Sequence, residues 1–259
     1  MDTKRVDLGR DNDQTKNMAQ GALIIASIRS GGTFLAHCLS NHSQIYCDRA
    51  ESLHHLSVWC STIKPDRRHL LAALLNQSGY QVSMCKLVYT QAFRGEIWEW
   101  IIKRQPRVIW LYRENVLRQA LSVYLNRQVR QARTLKRPQH TFEEAKRITV
   151  EIDPARFVRI ARGLASADEQ ARARMAAIRA VLPLNYAEVV GGEGVSGFRL
   201  PLETTKRVCS FLGVRYELLR CDLKRINPYP LHEMIGNWQD VRRAIRKSGF
   251  AELLEAEDG

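Results

Sequence analysis

An unbroken apolar run, Ala22-Leu23-Ile24-Ile25-Ala26, leads into a turn with two glycines, Ser30-Gly31-Gly32, and then into the helical spacing of residues 33–39. A strand that is apolar on both faces must be covered from both sides, as the strands of parallel sheets are. Strand, tight turn and helix in that order open an α/β sheet, and few other folds accept them. The rest of the chain keeps the alternation. Strand patterns are expected at 44–47, 82–88, 107–112 and 184–190, and helical patterns at 66–75, 97–104, 116–133, 157–181 and 204–212. Residues 221–236 read as loop and 237–254 as a last helix. The expected fold class is α/β, with a central, mostly parallel sheet of about five strands and helices on both faces.

A chain of 259 residues suits one such domain. Residues 1–20 are polar and of mixed charge and are expected to form a flexible tail, with 21–259 as a single domain. Basic residues outnumber acidic ones 40 to 27, a net charge of +13, which points to an anionic partner or to solubility alone. The cysteines (Cys38, Cys47, Cys60, Cys85, Cys209, Cys221) form no C-x-x-C pair and have no metal-ligand spacing. Several sit in apolar stretches, as small buried hydrophobes do, which suits a reducing compartment. No run approaches the roughly 18 apolar residues of a membrane span, and the first twenty residues lack a signal-peptide core. A cytoplasmic protein is expected.

The turn after the first strand, Ser27-Ile28-Arg29-Ser30-Gly31-Gly32-Thr33, has the makings of an oxyanion site. Its glycines allow a tight turn, the following helix presents unpaired N–H groups, Arg29 adds a charge, and Ser30 and Thr33 add hydroxyls. A nucleoside-triphosphate loop would read G-x-x-x-x-G-K-[ST]; here no lysine follows the glycines and no glycine stands five positions earlier. A plain strand-to-helix turn with a solvated arginine is the alternative.

A second site follows the fourth strand. Arg113 stands at the strand end and Ser122 nine residues on, where a helix folding back over the sheet edge brings the hydroxyl towards the same ligand. Arginine with a hydroxyl suits a phosphate monoester. Asn115 as a helix cap and Ser122 as a surface residue is the competing account.

Taken together, Arg29-Ser30-Gly31-Gly32-Thr33 and Arg113 with Ser122 resemble the 5′-phosphosulfate loop and the 3′-phosphate motif of sulfotransferases that use 3′-phosphoadenosine 5′-phosphosulfate (PAPS). Gly32 departs from that pattern, in which serine or threonine is common. Cys85-Lys86-Leu87, Tyr186-Ala187-Glu188, Phe211-Leu212-Gly213-Val214 and Met234-Ile235-Gly236-Asn237-Trp238 extend the resemblance, which is nearest to bacterial carbohydrate sulfotransferases of the Nod-factor and trehalose kinds. It implies a P-loop-like sulfotransferase fold, PAPS as co-substrate, no metal, and a carbohydrate or glycolipid hydroxyl as acceptor. It also implies Glu51 as general base, with His54 or His55 as rival, and Arg29 and Lys86 at the transferring group. A basic loop with Lys224 and Arg225 is expected to close over the nucleotide. An ordinary glutamate pKa near 4.3 is low for a base, so partial burial of Glu51 is required.

The segment 127–137 carries Arg127, Arg130, Arg133, Lys136 and Arg137 with no acid among them, either as a solvated helix face or as a contact with an anionic surface. It has no interleaved aromatic residues, so nucleic-acid binding is not expected. The competing functions are a nucleotide or sugar kinase of related fold, and a basic nucleic-acid-binding protein.

Overall fold

The structure, a computed structural model, describes residues 20–48, 67–132, 149–191, 199–223 and 229–258. Five strands form one sheet: β1 (Gln20–Ala26), β2 (Ile45–Asp48), β3 (Val82–Val88), β4 (Arg107–Tyr112) and β5 (Val181–Asn185). Their order across the sheet is β2-β3-β1-β4-β5, and every neighbouring pair is parallel. The α/β class expected from the apolar runs is the class observed.

Side chains alternate across β1, so each face of the sheet receives its own core. Ala22, Ile24 and Ala26 pack with Leu35, Ala36 and Leu39 of α1 (Gly32–Leu39) and with Val208 and Leu212 of α8 (Leu202–Leu212). Leu23 and Ile25 face the other way. They meet Leu71 of α2 (Arg67–Leu74), Ile97 and Ile101 of α4 (Gly95–Arg104), and Ala171 and Met175 of α6 (Pro154–Met175). Each buried Leu or Ile contributes about 1.5–3 kcal/mol of transfer free energy, so β1 is fixed from both sides. A third cluster joins α5 (Val116–Ala132) and α6 to the C-terminal helices α9 (Leu231–Met234), α10 (Trp238–Arg246) and α11 (Ala251–Asp258), with Phe157 fully buried at its centre.

Several boundaries differ from expectation for local reasons. The strand expected at 184–190 is β5 at Val181–Asn185, and Tyr186–Val190 is a short helix, α7. Asn185 makes the switch: its side chain accepts from the Ala187 N–H, and Glu188 Oε2 accepts from the Asn185 N–H at 2.7 Å, a reciprocal cap. The helix expected at 157–181 is α6, which starts earlier. Asp153 Oδ1 accepts from the Ala155 and Arg156 N–H groups at 2.9 and 3.2 Å, and Pro154 occupies the first turn. Its expected end overran, because the Ala180 carbonyl is already engaged by the Val108 N–H of β4 at 2.9 Å. The single helix expected at 237–254 is two, α10 and α11, broken at Gly249 with φ +87°. Residues 221–236, read as loop, include α9, and a short helix α3 (Tyr89–Ala92) follows β3 directly. The expected tail, apart from Gln20, lies outside the described residues, as do 133–137 of the basic segment.

Candidate active site

β1 is flanked by β3 and β4, and the chain leaves it for α1 on one face, while β3 feeds α3 and α4 on the other. Such a switch point opens a crevice beyond the strand C-termini, where ligands of open α/β sheets bind. The Arg29 loop, Lys86, Arg113 and Ser122 converge at that place.

The loop has an unusual backbone. Ser27 N–H donates to the Leu111 carbonyl at 3.0 Å, tying the end of β1 to β4. Arg29 has φ +61° and Gly31 φ +85°, with Ser30 between them at negative φ. Alternating handedness turns successive N–H groups to one side, the geometry of an anion-binding nest. For Arg29 the left-handed conformation costs roughly 1–2 kcal/mol, which the surrounding contacts offset. Gly31 caps α1 with no side chain of its own, no described side chain is bonded to the first-turn N–H groups, and no acid stands in that turn. The helix start therefore keeps its donors and its partial positive charge.

Each expected loop residue has a distinct place. Ser30 is fully buried and its hydroxyl donates to the Ser27 carbonyl at 2.7 Å, so this side chain builds the loop rather than facing a ligand. A Cβ on Gly31 would lie 3.1 Å from Tyr186 Cδ2. A Cβ on Gly32 would lie 3.1 Å from both Ala26 Cβ and Lys86 Cδ. The missing side chain at 32, the departure from the resembling motif, is thus what lets Lys86 pass beside the loop. Lys86 Nζ then donates to Thr33 Oγ1 at 3.0 Å, which leaves the threonine proton unused by that bond. Lys86 is only 5% exposed, placed by its register opposite Ile24 of β1.

Arg113 leaves β4 and lays its guanidinium over the Tyr186 ring, 4.1 Å from the centroid, while Nη1 reaches 3.5 Å from the Arg29 carbonyl. Tyr186 therefore separates Gly31 from Arg113 and touches both. Arg29 Nε donates to Ser122 Oγ at 2.9 Å. The two anion sites expected separately are one continuous patch, with Arg29 as the joint. Asn115 Oδ1 accepts from the Arg118 N–H at 3.0 Å and so starts α5, as the competing account required, but Ser122 faces the loop and not solvent alone. Glu51, His54, His55 and Lys224 lie outside the described residues. Among the described residues no group of three His, Cys, Asp or Glu side chains is placed to hold a metal, and no helix is long and apolar enough to cross a membrane. Cys38, Cys47, Cys85, Cys209 and Cys221 are buried and in no disulfide; contact with Cys221, and burial after it, push the Cys38 thiol far up.

Two site residues were not singled out by motif. Gln119 lies one turn before Ser122 on α5 and is fully buried; its Nε2 donates to Ser27 Oγ at 2.8 Å and to the Ile28 carbonyl at 2.6 Å. The three-residue spacing from Ser122 was the available signal. Tyr186 entered the sequence reading only as part of a short matching piece, because its contact with Arg113 is made across two strands.

No protein-family model matches the sequence, and no curated protein matches it. Among solved structures, the crystal structure of a sulfotransferase from Alicyclobacillus acidocaldarius superposes with a TM-score of 0.53, over 90% of this chain and 91% of that one, at 16% identity. The chain shares that protein's fold, a five-stranded parallel sheet with helices on both faces.

Proposed function

We propose that this protein is a sulfotransferase that moves the sulfuryl group of PAPS to a hydroxyl of a carbohydrate or glycolipid. The observation that carries the reading is the Arg29–Ser122 contact, which joins a backbone nest to an arginine–serine pair at one strand edge. A donor with a phosphosulfate on the 5′ position and a phosphate monoester on the 3′ position of one ribose needs two such anion sites side by side. The 5′-phosphosulfate is assigned to the loop from Arg29 to Thr33, and the 3′-phosphate to Arg113 with Ser122.

In the reaction the acceptor oxygen attacks sulfur in line, the S–O bond to the 5′-phosphate breaks, and its electron pair stays on the phosphate. Glu51 takes the acceptor proton, a service typically worth about 10²–10⁴ in rate. Arg29 and Lys86 stabilise charge on the sulfuryl oxygens and the leaving oxygen; loss of one such donor costs about 10²–10³. Lys224 closes over the nucleotide, and the 127–137 segment meets an anionic surface.

Transfer of labelled sulfur from PAPS to a panel of carbohydrate and glycolipid acceptors tests the reading. The expected result is a sulfated product that is lost in Glu51→Gln, with nucleotide affinity retained. An active Glu51→Gln enzyme moves the base to His54 or His55, and phosphoryl transfer from ATP in place of sulfuryl transfer contradicts the reading.

A further inference from the structure

Ser27, Ile28 and Arg29, the residues that open the loop, are each bonded to α5. Gln119 Nε2 donates to Ser27 Oγ at 2.8 Å and to the Ile28 carbonyl at 2.6 Å, and one turn on Ser122 Oγ accepts from Arg29 Nε at 2.9 Å. Positions three apart share a helix face, so one face of α5 meets three consecutive residues of the loop.

The orientation of the Gln119 amide is forced. A carbonyl has no proton to give, so the atom facing Ile28 is the nitrogen, and both its protons are directed to the loop. Oε1 then points elsewhere. Among the described residues it has no hydrogen-bond partner, although Gln119 is fully buried. A buried acceptor without a partner weakens a fold, so a side chain that only packed here would be better apolar. What a glutamine adds at this position is the pair of bonds it donates.

The Ile28 carbonyl is where that matters. The Ile28 side chain is 40% exposed, so core packing does not fix this residue. The left-handed turn at Arg29, φ +61°, is a relation between the two peptide planes that flank it. The plane before Arg29 carries the Ile28 carbonyl, held by Gln119, and the plane after it carries the Arg29 carbonyl, 3.5 Å from Arg113 Nη1. Each plane thus has a holder outside the loop, one on α5 and one at the end of β4. A left-handed conformation is disfavoured for a residue with a Cβ, and a contact that fixes either plane opposes its relaxation. In a planar trans peptide, a carbonyl turned to α5 also sends the Arg29 N–H the opposite way.

We propose that Gln119 is a positioning residue for the oxyanion loop, holding the Ile28 carbonyl and thereby the left-handed turn at Arg29. It needs no contact with the nucleotide to do so. This assignment rests on the reading that the loop binds the phosphosulfate end of the donor.

Calorimetric titration with adenosine 3′,5′-bisphosphate, paired with thermal melting, tests it. Gln119→Met keeps the length of the side chain but removes both donated bonds together with the unpartnered oxygen. It is expected to bind the bisphosphate about five- to tenfold more weakly while melting close to wild type. Leu121→Ala, two positions on and packed in the third cluster, is expected to do the reverse, with a lower melting temperature and affinity within about twofold of wild type. Should Gln119→Met fail to fold, Gln119→Asn, which keeps the amide but draws it back from the loop by one methylene, carries the same comparison. Wild-type protein that binds no bisphosphate overturns the donor reading and this assignment together. Wild-type binding with unchanged affinity in the Gln119 variant overturns this assignment alone, as does an equal loss of affinity in Leu121→Ala, which would mark general destabilisation.

Discussion

Arg29 Nε donates to Ser122 Oγ at 2.9 Å, across 93 positions of sequence, and this bond joins the turn after β1 to the second turn of α5. The contact makes one patch of two loops that follow different strands. Without its hydroxyl, α5 keeps its helix and its core, since Leu117, Ala120 and Leu121 supply the packing. Ser122→Ala is therefore expected to melt close to wild type while binding adenosine 3′,5′-bisphosphate about five- to tenfold more weakly. Equal affinity in the variant would remove Ser122 from the site.

The glycines of the loop are constrained in different ways, and substitutions should separate them. Gly31→Ala places a Cβ in the left-handed region and 3.1 Å from the Tyr186 ring, and is expected to cost about 1–3 kcal/mol in denaturant unfolding. Gly32→Ser has no such backbone penalty. Its Cβ presses on Ala26 and on the Lys86 stem, so the expected loss is in turnover, through displaced Lys86, more than in stability.

Asn185 holds the switch from β5 to α7 and so sets where Tyr186 stands under Arg113. Asn185→Ala is expected to destabilise the protein by about 1 kcal/mol, as cap losses do, and to weaken nucleotide binding as the ring shifts. A stability loss with unchanged affinity would show that Arg113 keeps its place without Tyr186.

Far from the site, Glu217 fastens the segment after α8 to the turn before β2. It accepts from the Ser43 N–H at 3.0 Å, from the Ser43 hydroxyl and from Arg215, and these bonds, Ser43 first, hold its pKa down to about 2. His42 adds no charge here: Nδ1 accepts from the Gln44 N–H at 3.0 Å and Nε2 donates to the Arg215 carbonyl at 2.9 Å, the neutral form. A depressed carboxyl pKa means the unfolded chain binds more protons between about 2 and 4.5. The stabilisation is complete above that window and is lost as pH falls through it. Unfolding of wild type and Glu217→Gln should differ at neutral pH and converge towards pH 2. A gap that stays constant with pH would contradict the account.

Much of this architecture is legible in the chain because β1 is apolar on both faces, and only a covered parallel strand needs that. The loop was legible too: two glycines, an arginine and a helix leave little else for such a turn to do. What escaped was made by contact across the sheet. Tyr186 reads as the continuation of a strand until Asn185 and Glu188 cap it, and its stacking with Arg113 depends on the β4–β5 register. Ser30 reads as a ligand donor, yet its hydroxyl is spent on Ser27.

The central claim is that the strand edge around Arg29 and Arg113 holds a nucleotide phosphorylated at both the 3′ and the 5′ position of its ribose. Titrating adenosine 3′,5′-bisphosphate into wild type and Arg113→Ala by calorimetry tests it most directly. The account predicts binding by wild type, weaker by about two orders of magnitude or lost in the variant, as removal of a charged partner from a buried phosphate site demands. Tighter binding of ATP than of the bisphosphate, or equal bisphosphate affinity in both proteins, would contradict it.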